Sequence, residues 1–263
     1  MTLAYATELS LEQYELLKSL LTVGHSTGRP RSVNLMLVMQ AILYVLVSGC
    51  AWRLLPKEYP PYSTVYYYFR KWRDDRSWKR IHDHLVQWVR VAAERAPSPS
   101  AASLDSQSVA TAVMVQQAVG YDAGKHIKGR KRFTLVDTLG LLIAVRVVAA
   151  SVPEREGAKQ LLQQVHQERQ RVPRLVHIWV DGGFSGPEFL HWVMDTCRWL
   201  IEVVLRPQGS KGFVLLPKRW TVERTYGWLH WCRRLNLDYE RLPASSEAFI
   251  HIAMIRLMLR RLA

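Results

Sequence analysis

A change of pattern at residues 96–103 constrains the fold of this chain more than any other feature. This stretch, APSPSAAS, is rich in Pro, Ser and Ala, a composition that is typical of a linker. Four segments before it read as helices, whereas short β runs alternate with helices after it. We therefore predict an all-helical domain over residues 1–96, a linker over 97–103 and an α/β domain over 104–263.

The helical half contains a candidate DNA-binding motif. Residues 33–49 are apolar nearly all round, which predicts a buried helix at the centre of this domain. Two more helices are predicted over 63–75 and 77–95, and the short junction before STVYYYFRKW resembles that of a helix-turn-helix. The alternation of basic and aromatic residues in this segment is typical of a DNA-reading helix, and equally of a core helix with a charged outer face. The candidate DNA contacts here are Arg70, Lys71 and Arg73.

The second half has the element order β-β-β-α-β-α-β-α-α. Its second and third strands form a hairpin over 131–151, with Asp137 and Gly140 in turn positions. A fully apolar fourth strand covers 174–180, and a fifth covers 199–206. A leading hairpin followed by α/β units predicts a mixed sheet that is covered on both faces, with the first and fourth strands as neighbours.

The charge of the chain points to a polyanionic partner. Lys and Arg number 36 against 22 Asp and Glu, which gives a net charge of +14 and an isoelectric point near 10.0. Nucleic acid is the default partner of so basic a protein, and a membrane surface is the rival. No stretch approaches the roughly 20 apolar residues that span a bilayer, and the amino terminus lacks the pattern of a signal peptide. We therefore expect a cytoplasmic protein without membrane contact.

The sequence lacks the patterns of two other classes of site, a cysteine-based site and a nucleotide-binding loop. The three cysteines, Cys50, Cys197 and Cys232, are isolated, which argues against a disulfide framework or a zinc ribbon. The segment GKHIKGRK at 124–131 has the glycine spacing of a phosphate loop but lacks its Lys and Ser/Thr, so we predict no nucleotide cofactor. Its bases are better interpreted as contacts to DNA phosphates, with a solvated hairpin edge as the alternative. They are Lys125, Lys128, Arg130, Lys131 and Arg132.

Three carboxylates occupy positions that suit a metal site. Asp105 is predicted at the end of the first strand, and Asp181 directly follows the fourth, so both are expected at one sheet edge. Glu223 lies near the start of a strongly basic helix and could lean over that edge. Crowded carboxylates are tolerated when a divalent cation neutralises them, and their oxygens suit Mg²⁺. Two such ions about 4 Å apart stabilise both oxygens of a phosphodiester displacement.

Each of these acids also has a structural interpretation. Asp105 could cap a turn, Asp181 could form an Asx turn with the glycines that follow it, and Glu223 could pair with Arg219 four residues earlier. Three other acids are weaker candidates for the site. Asp137 and Asp122 lie at or near predicted turns, and Glu240 lies beyond the basic helix.

Four segments in order resemble bacterial insertion-sequence transposases of the DDE class. They are SLDSQSV, GYDAGKHIKGRKRFTLVDTLGL, VDGGFSG and LPKRWTVERTYGWLHWCRRL. The branch is the fifth insertion-sequence family, which is related to eukaryotic Harbinger elements, and the likeness covers roughly residues 20–262. It implies an RNase H-like catalytic core behind the helical domain. Asp105, Asp181 and Glu223 match the metal-binding triad of that family.

The resemblance also implies a reaction and its partners. Such an enzyme binds the terminal inverted repeats of its element, cleaves a phosphodiester bond with metal-activated water, and joins the 3′-hydroxyl to target DNA. It implies two Mg²⁺ ions with Mn²⁺ as a substitute, a homodimer or larger synaptic complex, and a setting at the bacterial nucleoid. The alternatives are a non-catalytic DNA-binding regulator and an RNase H-like nuclease without strand transfer.

The basic helix supplies further DNA contacts under this resemblance. The DDE class places an Arg four residues before the Glu, which Arg219 matches, and a base seven residues after it. His230 takes that second position, where Lys is typical. Arg233 and Arg234 are the other candidate phosphate contacts of this segment.

Overall fold

A six-stranded mixed sheet forms the centre of the protein, seen in a computed structural model that describes residues 5–21, 33–205, 209 and 216–263. Strands of alternating or continuous apolar residues build it, as the sequence predicts. The strands are β1 (Ala101–Ala110), β2 (Gly120–Asp122), β3 (Ile127–Asp137), β4 (Leu142–Ala149), β5 (His177–Val180) and β6 (Leu200–Val203).

The strand order places the hairpin on one side of β1 and the parallel strands on the other. β1 pairs with β3 in antiparallel fashion, and β3 pairs likewise with β4 and with the short β2. On its other side β1 pairs with β5, and β5 with β6, all in parallel. This is an RNase H-like layout, so the predicted fold class is confirmed. Strands β1 and β5 correspond to the predicted first and fourth strands, and they are adjacent as predicted.

The β3–β4 hairpin turns where the sequence predicts it. The carboxylate of Asp137 accepts the backbone N–H groups of Leu139 and Leu141 at 2.9 and 2.8 Å. Gly140 has φ +77°, and a Cβ there would come within 2.9 Å of the ring of Trp228. Only glycine fits both the left-handed backbone and this close contact. The turn is therefore fixed by local hydrogen bonds and by packing against the helix above it.

Eight α-helices accompany the sheet in the part of the chain that the structure describes. Helix α5 covers one face, where a Cβ at Gly157 would lie 2.1 Å from the ring of Phe133, so this glycine permits the close approach. Helices α7 and α8 cover the opposite face. The helices are α1 (Leu11–Lys18), α2 (Leu35–Ser48), α3 (Tyr62–Asp74), α4 (Ser77–Ala92), α5 (Glu154–Gln167), α6 (Pro187–Trp192), α7 (Pro217–His230) and α8 (Pro243–Leu262).

The helical half and the sheet share a hydrophobic core. Helix α8 packs against α4, and apolar residues of α2, α3, α4 and α8 join those of β3 and β4 in one buried cluster. Arg90 of α4 forms an ion pair with Asp137 at the hairpin turn. Both side chains are nearly inaccessible, so the pair joins the two halves inside the protein. The boundary near residue 96 therefore marks a change of secondary structure within a shared core.

Several predicted boundaries are corrected by the structure. Strand β1 begins at Ala101, inside the predicted linker 97–103, because its second residue already pairs with β3 and is fully buried. The basic helix ends at His230 and a short 3₁₀ turn follows over Arg233–Leu235, whereas the sequence pattern predicts a helix to Leu235. Strand β2 is not among the predicted elements. Residue 206 of the predicted fifth strand lies outside the described residues.

The sequence predicts neither a membrane-spanning segment nor a disulfide framework. No helix among the described residues is both long and apolar enough to cross a membrane. Cys50, Cys197 and Cys232 are free thiols, and burial raises the pKa of Cys197 and of Cys232 to about 11. These two thiols are therefore protonated core residues at neutral pH.

Candidate active site

The crevice between β1 and β5 brings two of the predicted acids level with one another. The last paired residues are Ser103 and Trp179. Asp105 and Asp181 each lie two residues further along their parallel strands. Asp105 is in the middle of β1, not at its end as predicted, because β1 continues to Ala110. Strand β5 has ended at this level, so the outer half of β1 has no strand partner on this side among the described residues, and this open sheet edge is the crevice named above.

Both aspartates face helix α7. Residues two apart in a strand share a face of the sheet. Ser103 donates from its hydroxyl to the carbonyl of Lys218 at 2.5 Å, so Asp105 lies on the same side. The Lys218 ammonium lies 5.3 Å from the centre of the Trp179 ring, and Arg219 of the same helix lies 3.6 Å from Asp181, so Asp181 faces α7 as well. Two carboxylates from distant parts of the chain therefore point towards one helix.

Helix α7 is anchored to the sheet at its start and at its middle. Lys218 donates to Glu202 of β6 at 2.8 Å, which fixes the start of the helix. Thr225 donates to the carbonyl of Gly140 at 2.8 Å, which fixes its middle over the hairpin. These contacts direct Arg219 of the first turn towards the crevice.

Arg219 lies between Asp181 and Glu223, the second and third acids of the predicted triad. Its Nη2 is 3.6 Å from Asp181 Oδ2 and 3.8 Å from Glu223 Oε1. The Glu223 side chain remains 42% exposed. Within the described residues, no three His, Cys, Asp or Glu side chains lie close enough together to hold one metal ion. The structure thus brings Asp105 and Asp181 together, whereas Glu223 takes the salt bridge to Arg219 that is the alternative interpretation.

The electrostatics of Asp105 show why a cation suits this crevice. Burial, and to a lesser degree the charge of Asp181, raises the pKa of Asp105 to about 6. The backbone N–H of Ser106 opposes this rise, because it donates to Asp105 Oδ1 at 2.7 Å. A carboxylate that resists ionisation beside a second one is stabilised in its charged form by a nearby cation. Oxygen ligands of this kind fit Mg²⁺ or Mn²⁺, so the residues present fit a divalent cation at the Asp105–Asp181 pair.

The surroundings of this pair carry excess negative charge within a basic protein. Five carboxylates and three bases of the described residues form ion pairs around Asp105 and Asp181 or adjoin them, next to the Lys218–Glu202 pair. Lys131 pairs with Asp122 and Glu154 at 3.3 and 3.4 Å, and Lys125 lies 3.9 Å from Glu154. In a chain of net charge +14, a local group with more acids than bases favours the binding of a divalent cation. The bases are Lys125, Lys131 and Arg219, and the carboxylates are Asp105, Asp122, Glu154, Asp181 and Glu223.

Glu154 is the acid of this group that the sequence reasoning missed. It is the first residue of α5, and its Oε2 accepts a hydrogen bond from the Ser106 hydroxyl at 2.5 Å. The sequence does contain a signal, since a Pro-Glu pair that can start a helix directly follows the hairpin. The sequence pattern of residues 157–169, GAKQLLQQVHQER, predicts a helix that begins at residue 157, which leaves Glu154 in a loop.

The three weaker candidate acids have structural partners. Asp137 caps the hairpin turn and pairs with Arg90. Burial opposes ionisation of Asp122, but hydrogen bonds from Ser108 and from backbone N–H groups of the β2–β3 turn lower its pKa to about 2. Glu240 is buried and accepts Arg234 Nε at 2.8 Å. None of these three lies at the strand level that Asp105 and Asp181 share.

Five of the predicted DNA contacts are side chains that are buried or make contacts within the protein. Arg130, Lys131 and Arg132 are buried, because β3 lies between β1 and β4 and both faces of the sheet are covered. Arg234 is buried against Glu240. Arg73 is 11% exposed and donates to Ser245 at 2.7 Å. Within the predicted phosphate-binding segment over residues 125–132, the three buried bases are not on the surface, which leaves Lys125 and Lys128 as candidates.

The other predicted DNA contacts remain accessible. Lys125 is 44% exposed beside Glu154, and Arg219 is 23% exposed between two acids. The remaining side chains are exposed on the surface: Arg70, Lys71, Lys128, His230 and Arg233.

The strand layout and the carboxylate crevice define a protein of the RNase H-like class. The chain belongs to the transposase DDE domain family, whose model matches residues 96–258. A second model, described as "Putative transposase of IS4/5 family", matches residues 9–82. The predicted resemblance to insertion-sequence transposases of the DDE class is therefore confirmed.

The chain is also similar to a curated protein and aligns with a solved structure. A "Putative transposase for insertion sequence element IS402" from Burkholderia cepacia is 29% identical over 131 residues, which cover 47% of this chain and 60% of that protein. The match thus spans less than two thirds of this curated relative. A cryo-EM structure of the piggyBac transposase synaptic complex with hairpin DNA aligns with a TM-score of 0.43 and 14% identity. That alignment covers 94% of this chain and 70% of the other.

Proposed function

We propose that this protein is a DNA transposase that cuts and joins phosphodiester bonds at the crevice between β1 and β5. The observation that carries the proposal is the placement of Asp105 and Asp181 on neighbouring parallel strands, facing α7. Carboxylates gathered from distant segments at one strand level are typical of a metal site. The negative excess around them, within a basic chain, supports the same function.

Asp105 and Asp181 would hold the divalent cations, for which we propose two Mg²⁺ ions with Mn²⁺ as a substitute. A cation bound there supplies Lewis-acid stabilisation to the oxygens of the phosphodiester. Arg219 neutralises Asp181 and Glu223 in the protein without DNA. When Arg219 turns to a DNA phosphate, both acids lose this partner, and Glu223 becomes available as the third ligand.

DNA would approach over an exposed face of α3 and over the crevice. On α3, the Arg70 guanidinium lies 5.8 Å from the centre of the Tyr66 ring, and both side chains are exposed. Basic and aromatic side chains together bind phosphates and bases. We propose that α3 contacts the terminal inverted repeats. Because two DNA ends are joined in one reaction, we also propose a homodimer or a larger synaptic complex.

The test of this function is a cleavage and joining assay. The protein, residues 1–263, is incubated with a labelled duplex that carries a terminal inverted repeat of its element and with a target duplex, in Mg²⁺, Mn²⁺ or EDTA. We expect nicked and joined products with either metal and none with EDTA. Cutting without joining would make the protein a nuclease, and cutting in EDTA would refute the metal site.

A second candidate function is a DNA-binding regulator without catalysis. The observation that favours it is the pairing of Glu223 with Arg219, since no group of three acids among the described residues is close enough for one ion. This alternative predicts binding of the duplex with no cutting in any metal. The same assay therefore separates the two functions.

Replacing Arg70 and Lys71 together by Gln is expected to weaken DNA binding. Each phosphate contact contributes about 0.9 to the slope of log K against log salt concentration, so the slope should fall by roughly 2. Fluorescence anisotropy at several salt concentrations measures it. The control is Lys18→Gln, because Lys18 is also exposed but pairs with Glu15. An unchanged slope in the double variant would exclude α3 as a phosphate-binding surface.

A further inference from the structure

Glu154 reaches the crevice from the face opposite α7. Its Oε2 accepts the Ser106 hydroxyl at 2.5 Å, and its Oε1 lies 3.4 Å from Lys131 Nζ. A Cβ at Gly183 would lie 3.9 Å from Glu154 Cγ and 3.1 Å from Asp181 Oδ1. The side chain of Glu154 therefore stands beside the turn that carries Asp181, as well as beside β1.

Ser106 connects Glu154 with Asp105. Its hydroxyl points to the α5 face and donates to Glu154, while its backbone N–H donates to Asp105 Oδ1 at 2.7 Å. The position of this residue thus affects the rotamer of the neighbouring carboxylate. A hydrogen bond to a charged acceptor holds Ser106 more firmly than one to a neutral group.

We infer that Glu154 is a positioning residue which, through Ser106, orients Asp105 and strengthens divalent-cation binding at the crevice. This inference rests on the proposed function, because it concerns the same metal site. Residues that orient metal ligands contribute to affinity although they do not touch the ion.

A second pair on the same strand provides a matched comparison. Ser108 donates from its hydroxyl to Asp122 at 2.5 Å, just as Ser106 donates to Glu154. Asp122, however, caps the β2–β3 turn through the N–H groups of Gly124 and Lys125. The two serines therefore make similar bonds, and only Ser106 adjoins Asp105.

The experiment measures the Mn²⁺ affinity of the protein, residues 1–263, without DNA, from the electron paramagnetic resonance signal of free Mn²⁺. We expect Glu154→Gln and Ser106→Ala each to weaken binding roughly 10-fold or more, since such partners typically contribute 10–100-fold. The double variant should be little weaker than either single one, because the two residues act as a unit. Melting temperatures are measured in parallel to show that each variant is folded.

The controls are Ser108→Ala and Glu156→Gln. Glu156 is an exposed acid in the same first turn of α5, where it accepts Gln160 at 3.2 Å. The Mn²⁺ affinity of both controls should lie within about 2-fold of that of the unchanged protein. This change is far smaller than the roughly 10-fold or greater loss expected for Glu154→Gln. Equal weakening by Glu156→Gln would mean that general charge, not position, is responsible, and would overturn the inference.

The Asp181→Asn variant separates failure of this inference from failure of the proposed function. If Asp181→Asn abolishes Mn²⁺ binding while Glu154→Gln and Ser106→Ala leave it unchanged, the inference is wrong and the metal site stands. If the unchanged protein binds no Mn²⁺, or Asp181→Asn has no effect, the metal site itself is refuted.

Discussion

Replacing Asp181 by Asn is expected to lower the rate of metal-dependent DNA cleavage roughly 1,000-fold, equivalent to about 4 kcal/mol of transition-state stabilisation. Asn keeps the size of the side chain and can still accept the N–H of Gly183, which donates to Asp181 Oδ1 at 2.9 Å. The substitution therefore removes the charge and preserves the turn. Asp105→Asn is expected to have a similar effect.

The measurement compares single-turnover cleavage with DNA binding by the same protein. DNA affinity should stay unchanged or rise slightly, because a negative charge is removed next to the phosphate path. Asp195→Asn serves as the control, since Asp195 is an exposed acid in the turn after α6. Cleavage by Asp181→Asn at the rate of the unchanged protein would refute the role of this carboxylate.

The placement of the two aspartates could be predicted because it depends on strand order. A hairpin followed by α/β units puts the first strand beside the fourth, and Asp105 and Asp181 then fall at the same level. The apolar runs next to Asp105 and Asp181 identify these two strands in the sequence. The position of Glu223 is harder to predict, because it depends on how α7 rests on the sheet and on the geometry of Arg219.

The environment of the basic residues could not be predicted from their spacing. Five bases between residues 125 and 132 look like one cationic surface, yet the β3 register turns three of them into the protein. Arg132 is held by the carbonyl of Leu235 at 2.9 Å, 103 residues away along the chain. Such partners are fixed by the tertiary fold, and a charge pattern does not reveal them.

Arg130 shows how a candidate DNA contact can be a structural residue. Its guanidinium is fully buried and donates to the carbonyls of Gln117, Glu240 and Arg241 at 2.7, 2.7 and 3.0 Å. It also lies 3.3 Å from the buried carboxylate of Asp238. These contacts join β3 to the loop after β1 and to the segment before α8.

Arg130→Met is therefore expected to destabilise the protein by about 3–5 kcal/mol, because it leaves the buried Asp238 carboxylate without its cation and three carbonyls without this donor. The melting temperature should fall by on the order of 10 °C. The control is Lys128→Met, two residues earlier on the same strand, where the side chain is exposed and little change is expected. Thermal and urea unfolding of both variants measure the difference.

The same pair of variants distinguishes the two roles of Arg130. Loss of a phosphate contact would lower the salt dependence of DNA binding without affecting stability. Loss of a buried structural residue would lower the stability of the protein without changing the salt dependence of DNA binding, because its donors are already used within the protein. A melting temperature for Arg130→Met within about 2 °C of the unchanged protein, together with a reduced salt slope, would identify Arg130 as a DNA contact instead.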